Sequence, residues 1–372
     1  MKSADKPRVL VVYNRDFESA EADPENCSRS DIRGTAEHVV RALDDGEHVV
    51  DALGVTDDLM GVVAKIAAAA PDVVFNLCES IDGVSSLEPL LPLLLERAGL
   101  AYTGSSPLTL GLALHKHKAK DVLRGAGVPT PEAVVLTTPD VSPVALPFPL
   151  IVKPAREDAS IGISSDSVVH DRAALERQVT FILARYRQPV LVERYVEGRE
   201  IYVSMLERPG DDIEILPLHE IDFSEMPAGR PRIVSFEGKW VETSPEFSGT
   251  KPVACEGLTT SALSRIGRVA RTAFAAMELR DYARLDLRLS ADETPYVIDV
   301  NPNCDLSPSA GFARAAQAAG LEYAAMARRI VALAQSRRPR GDTIPLSLHP
   351  RLTPRKPVVF GDRPVRRRAR SG

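Results

Sequence analysis

Cysteine is scarce in this chain. Its 372 residues include four, Cys27, Cys78, Cys255 and Cys304, and no two stand at C-x-x-C spacing. Zinc-site spacing and a disulfide framework are therefore unsupported, and reduced thiols in the cytoplasm are the expectation. Long apolar runs are missing as well. Leu87–Leu95 is the most apolar stretch near the start, yet it is interrupted by prolines and too short to cross a bilayer. The opening residues MKSADKPRVLVVY pass directly into a strand-like run, without the charged, apolar and cleavage segments of a signal peptide. A soluble cytoplasmic protein with no membrane partner is expected. No internal repeat is visible.

What is present is ordinary globular composition, 44% hydrophobic and 26% charged. The length suggests two or three domains with cores large enough to need no staple. The net charge of −5 hides an asymmetry: residues 337–372 hold 11 Lys/Arg against 2 Asp/Glu, leaving 35 basic and 49 acidic residues elsewhere. This Pro- and Arg-rich stretch cannot bury a core and reads as a disordered tail. Binding of nucleic acid or another acidic partner is the alternative for it, and nucleic acid is expected nowhere else.

Along the chain, Arg8–Tyr13 is a β-branched apolar run, followed by a polar loop to about Arg33. Helical spacing at Gly34–Leu43, a strand at His48–Leu53, a helix near Asp57–Ala70 and a strand at Val73–Leu77 follow. In SSLEPLLPLLLERAG, Ser85 and Glu88 fit a capping box and Gly99 ends the helix. Such alternation predicts a parallel sheet covered on both faces, with this first domain ending near Pro107. Helical residues at Lys116–Arg124 stop at GAGVPTP. Strands at Ala133–Leu136, Leu150–Lys153, Val190–Arg194, Glu200–Leu206 and Ile213–Leu218 are expected, with a helix at Ala173–Ala184. A helix near Leu258–Met277, strands at Ala283–Leu289 and Pro295–Val300, and helices near Ala310–Ala319 and Tyr323–Ala334 close the pattern.

Three segments carry candidate chemistry. Arg284 and Asp286 in ARLDLRL, and Asp299 and Asn301 in VIDVNPN, are each two apart, so each pair points to one face of its strand. If the strands are neighbours, two carboxylates and an amide oxygen meet, a donor set suited to magnesium against phosphates; a solvated strand face is the bland alternative. In PLIVKPAREDASIGIS a strand delivers Lys153 ahead of a polar loop that closes at Gly162. A lysine and loop amides can grip phosphate, although the segment is not a Walker A loop and a solvated lysine explains it as simply. In VLVERYVEGREIYV, Glu193 and Glu200 flank a short connection, either a nucleotide-holding hinge or a surface hairpin.

Together, LAYTGSSPLTLGLALHKHKAK, GVPTP, LIVKPARE, LVERYVEGREI, ARLDL and IDVNPN resemble the D-alanine–D-alanine ligase family of the ATP-grasp superfamily, in order and spacing, from about Arg8 to Leu333. The resemblance implies an α/β ATP-grasp fold with an N-terminal Rossmann-like parallel-sheet domain (1–107). A central lid (108–192), a C-terminal ATP-grasp domain (193–336) and the tail (337–372) would follow. It implies ATP as cofactor with two magnesium ions, or manganese in their place, small carboxylate and amine substrates, and a possible homodimer. Lys116 and Lys153 resemble the phosphate-contacting lysines, and Ser160 lies in the loop beside them. Glu193 resembles the carboxylate at the adenine pocket, with Arg194 and Val196 as backbone hinge positions, and Glu200 the ribose-binding glutamate. Asp286, Asp299 and Asn301 resemble the metal ligands, Arg284 the arginine that stabilises the acyl phosphate and tetrahedral species, and Lys239 the lysine of the E-x-K-Y segment, with Trp240 replacing tyrosine.

The departures gather on the substrate side. The family's E-G-S-S-x-G loop is here Glu157-Asp158-Ala159-Ser160-Ile161-Gly162, its H-G is Cys78-Glu79, and Ala310 stands where a substrate-contacting serine is expected. The early loop has no clear E-x-E-V-S, with Glu25 only nearby. An amide- or peptide-forming ligase acting through an acyl phosphate on substrates other than D-alanine is expected. D-alanyl-D-alanine formation, a larger amine acceptor recruited by the tail, and a non-catalytic nucleotide-binding module are the alternatives.

Overall fold

The structure is a computed structural model that describes residues 6–15, 32–56, 58–210 and 212–337. Cys27, Glu25 and nearly all of the basic tail lie outside the described residues.

The first sheet is built from β1 (Arg8–Asn14), α1 (Ile32–Leu43), β2 (Val49–Val55), α2 (Leu59–Ala69), β3 (Val73–Asn76), α3 (Leu90–Arg97) and β4 (Ala101–Tyr102). Its strands run parallel in the order β2-β1-β3-β4. The apolar run of β1 serves both faces, because successive side chains alternate. Val9 and Val11 join a cluster with Ala36, Val39 and Leu43 of α1, whereas Leu10 and Val12 pack with Val62, Ile66, Leu91 and Leu95 of α2 and α3. The sheet is thus covered on both sides, as the strand–helix alternation predicts.

One local expectation fails here. Ser85 and Glu88 make no capping box: a 3-10 turn spans Ser85–Leu87, its N-cap is Val84 with no side-chain bond, and α3 begins only at Leu90. Pro89 is the reason, since proline is tolerated only at a helix's entry. Glu88 is instead buried and accepts a hydrogen bond from Asn303 Nδ2 at 3.0 Å.

After α4 (Pro107–Leu114) and α5 (Lys116–Gly125), a second sheet holds β5 (Ala133–Leu136), β6 (Leu150–Pro154), β7 (Val168–Val169) and β8 (Val190–Arg194), backed by α6 (Arg172–Tyr186). It is antiparallel in the order β5-β8-β6-β7. Leu175, Val179 and Ile182 of α6 close its core against Val152, Val190 and Val192. β8 runs through Arg194, past the boundary expected at residue 192.

The third sheet comprises β9 (Arg199–Glu207), β10 (Ile213–Ile215), β11 (His219–Asp222), β12 (Lys251–Ala254), β13 (Tyr282–Leu289) and β14 (Pro295–Asn301). Its order is β12-β11-β9-β13-β14, with β10 also on β9. The run expected as one strand to Leu218 therefore stops at Ile215. Between β11 and β12 lie two short helices, α7 (Phe236–Trp240) and α8 (Pro245–Ser248), which periodicity did not reveal. One face of the sheet packs on α9 (Thr260–Ala276) through Ile266, Ala270, Ala273 and Phe274. The chain continues through α10 (Gly311–Ala318) and α11 (Tyr323–Ser336), which cover the first sheet through Phe312, Ile330 and Val331. Among the described residues no helix is long and apolar enough to cross a membrane.

Candidate active site

β13 and β14 are neighbours, with Arg284 opposite Asn301 and Asp286 opposite Asp299. Leu285, Leu287, Val297 and Val300 face the core, which leaves the four polar side chains on the other face. β9 adds Tyr202 opposite Asp286 and Glu200 opposite Arg288 on the same face. All twelve residues singled out from the sequence line one cavity above this floor: Lys116, Lys153, Ser160, Glu193, Arg194, Val196, Glu200, Lys239, Arg284, Asp286, Asp299 and Asn301.

The charges of the floor are closed in pairs. Arg284 grips Asp286 with two hydrogen bonds, Nε to Oδ1 at 2.7 Å and Nη2 to Oδ2 at 3.0 Å, and lies 4.8 Å over the Tyr202 ring. Lys116, at the start of α5 and only 4% exposed, donates to Asp299 Oδ2 at 2.6 Å and Asp158 Oδ1 at 2.9 Å. Burial opposes its charge, but the two carboxylates outweigh burial and hold its pKa above the ordinary lysine value.

Glu193 does not stand free at the cavity edge. It is buried, with Oε1 2.6 Å from Lys153 Nζ and Oε2 2.8 Å from Lys120 Nζ. Burial would raise its pKa, yet the paired lysines bring it below the ordinary glutamate range. Burial dominates at Lys120 and pulls its pKa down to about 8 against the attraction of Glu193. Sequence reasoning missed Lys120, although Lys116 and Lys120 stand one helical turn apart on one face.

The backbone hinge is partly committed. Arg194 N–H donates to Glu132 O at 2.9 Å, and Val196 O accepts from Arg288 Nε at 2.9 Å. Arg288 was not singled out from the sequence. It also donates to Glu200 Oε2 and Tyr195 Oη at 3.0 Å each, fixing the hinge to the floor. Burial raises the Glu200 pKa even so.

The loop after β6 is tied down at several points. Ala159 and Ser160 have φ of 54° and 63°, a left-handed conformation that costs non-glycine residues energy. Trp240 Nε1 donates to Ala159 O at 2.9 Å and Ser160 Oγ to Val234 O at 2.9 Å. Gly162 has φ of 73°, and a Cβ there would meet Pro154 Cγ at 2.5 Å, so only glycine fits. Lys239 reaches past Trp240, 5.0 Å over its ring. Enclosure by the cavity walls, then the Arg284 charge, draw the Lys239 pKa down.

Lys239, Arg284, Asp158, Ala159, Tyr202 and Asn301 also border a second cavity, which continues to Glu79, Glu88, Asn303, Asp305, Ala310 and Arg314. Cys78 does not reach it; its side chain packs in the core of the first sheet. Asn303 braces the cavity wall. Its Nδ2 donates to Cys78 O and Glu88 Oε1, and its Oδ1 accepts from Tyr282 Oη, all at 3.0 Å. Burial pushes Glu88 well above the ordinary glutamate range, despite the opposing bond from Asn303.

The donor set fits a hard divalent cation that shares its coordination with phosphate. Asp286 and Asp299 face each other across the strands, and Asn301, opposite Arg284 on the same face, brings an amide oxygen as the third hard donor. Both carboxylates are now held by cationic side chains. Among the described residues no cluster of three or more His, Cys, Asp or Glu suited to a metal exists. The set of two carboxylates and one amide therefore needs oxygens from a ligand to complete a shell.

Residues 122–332 match the family described as D-ala D-ala ligase C-terminus. The chain is 34% identical over 286 residues to a D-alanine–D-alanine ligase of Chromohalobacter salexigens, covering 76% of this chain and 83% of that protein. It is 35% identical over 271 residues to the uncharacterized protein y4sG of Sinorhizobium fredii, covering 73% and 76%. Among solved structures, the ATP complex of the Bacillus anthracis D-alanine–D-alanine ligase aligns with a TM-score of 0.68 at 22% identity, over 89% of this chain and 98% of that one. The VanG D-Ala:D-Ser ligase of Enterococcus faecalis aligns with a TM-score of 0.66 at 15% identity, over 88% and 99%. These two likenesses establish a shared fold.

Proposed function

Because the chain belongs to the D-alanine–D-alanine ligase family of ATP-grasp carbon–nitrogen ligases, we propose that it joins an amino-acid or small peptide-like carboxylate other than D-alanine to an amine, through an acyl phosphate. The observation that carries this reading is the contrast within one continuous site. The cavity that would take the nucleotide keeps every charged group expected of it. The adjoining cavity has Ala159 and Ala310 on its wall and Cys78 withdrawn into the core.

In the proposed reaction the substrate carboxylate attacks the γ-phosphorus of ATP and ADP leaves. Lys116 and Lys153 hold phosphate oxygens, and Glu193 with Lys120 fixes where Lys153 points. The second sheet acts as a lid over the nucleotide, with Val196 at the purine edge and Glu200 at the ribose. Magnesium held by Asp286, Asp299 and Asn301 would screen the meeting of two anions. The amine nitrogen then attacks the acyl carbon, the carbon–oxygen bond to phosphate breaks, and the amine loses a proton. Arg284 holds the oxyanion of the tetrahedral species, and Lys239 neutralises charge beside it. The loop at 156–162 keeps water from the acyl phosphate.

The names of the relatives support a second reading, D-alanyl-D-alanine formation, which substrate comparison decides. Carboxylate-18O-labelled amino acids, incubated with ATP and magnesium, test the chemistry. One 18O should appear in the released phosphate. ATP consumption without that transfer would contradict an acyl phosphate.

A further inference from the structure

The second cavity has an uneven distribution of charge. Its acidic side chains already have partners in the fold. Asp158 is held by Lys116, Glu88 by Asn303, and Asp305 accepts from Ser307 N at 2.7 Å and Ser307 Oγ at 3.1 Å. Among its cations, Arg284 is paired with Asp286. Lys239 lies at the border with the nucleotide cavity, where the reacting phosphate would sit. Arg314 lines the second cavity and not the first. Among the described residues its guanidinium has no hydrogen-bond or ion-pair partner, and its Nε is buried and unsatisfied.

A buried donor on a charged group is costly to leave unpaired, and a chain with no use for it there could replace it by an apolar residue. The helix that carries it adds further donors. Arg314 sits in the first turns of α10, whose N-cap, Ala310, supplies no side-chain acceptor for the helix N–H groups. Gly311, three residues before Arg314 and therefore on the same side of the helix, lies against Tyr202, with 3.8 Å between an added Cβ and the ring. Tyr202 in turn underlies Arg284. Arg314 thus stands one aromatic ring and one helical turn from the group assigned to the oxyanion.

The two ends of the cavity differ. Glu79 and Glu88 lie on the side of the first sheet, and Arg314 lies on the side of α10. The donor's own carboxylate must point to Lys239 and Arg284, where it is phosphorylated. The anion that remains in an amino-acid or peptide pair is the carboxylate of the amine-bearing partner. We infer that Arg314 binds that carboxylate and is the residue that sets the preference for an acceptor carrying one. The inference rests on the ligase reading above.

The test uses the full chain with ATP, magnesium and the best donor from an amino-acid panel. Three acceptor types are compared: hydroxylamine, which has no carboxylate, amino acids, and the matched carboxamides of those amino acids. In the wild type, amidation of the acceptor should raise KM by roughly tenfold or more, as loss of a charge-assisted pair does. Arg314→Met should raise KM for the carboxylate acceptor by a similar factor and leave the carboxamide and hydroxylamine reactions within about threefold, while Arg314→Lys recovers part of the loss. Equal loss with all three acceptors, or a loss that follows the donor, would overturn the assignment. Hydroxamate formation by the wild type verifies the ligase chemistry separately. Its absence with every donor would refute the underlying reading together with the inference.

Discussion

The two cavities of the site obey different rules. Above β13 and β14, nearly every charge is matched within the protein: Arg284 with Asp286, Lys116 with Asp299 and Asp158, Lys153 and Lys120 with Glu193. In the adjoining cavity the groups expected to hold a substrate are gone or turned inward, and an unpartnered arginine faces the space. A closed set of pairs keeps its geometry without ligand, so it suits the invariant half of a reaction. An open set waits for a particular partner, and that is where specificity resides.

The largest effect should come from breaking the matched half. Asp299→Asn keeps shape and removes charge, and ATP-dependent turnover should fall by at least about a thousandfold, since this group would serve both metal and lysine. ADP release measured on the folded variant checks this; loss within tenfold would remove Asp299 from the metal set. Next comes the buried triad. Glu193→Gln leaves two buried lysines without an anion, and chemical denaturation should show a loss of about 3 kcal/mol. A change below about 0.5 kcal/mol would mean the triad is hydrated and only weakly coupled.

The smallest effect concerns the other cavity. Burial raises the Glu88 pKa, so the folded chain favours its neutral form. Its contribution to stability is fully present below the ordinary glutamate range and is lost as pH climbs through the raised value. Glu88→Gln, which cannot ionise, should therefore melt a little higher than wild type at pH 8 and no higher at pH 4. The same melting difference at both pH values would show that Glu88 ionises without penalty.

The sequence showed some parts of this site and concealed others for physical reasons. Strand period puts Arg284 with Asp286, and Asp299 with Asn301, each pair on one face of its own strand, because alternation is a local property; that the two faces coincide comes from the pairing of β13 with β14. The parallel sheet was legible for the same reason, through Val9, Leu10, Val11 and Val12. Lys120 and Arg288 were not, because their roles come from Glu193 and Val196, contributed by other elements. The short helices around Lys239 carry too few residues for a period to register, and their positions depend on tertiary bonds such as Trp240 to Ala159. Glu88 was misplaced because a local capping pattern competed with a distant partner, Asn303, and a proline decided between them.

The contrast between the cavities is tested most directly by the substrate itself. Purified protein, ATP and magnesium should be assayed with D-alanine alone and with an amino-acid and dipeptide panel, reading ADP release and product mass. Some pair other than D-alanine with D-alanine should be ligated with a kcat/KM about a hundredfold higher, the combined cost of several missing hydrogen bonds. Efficient D-alanyl-D-alanine synthesis that exceeds every other pair would contradict it.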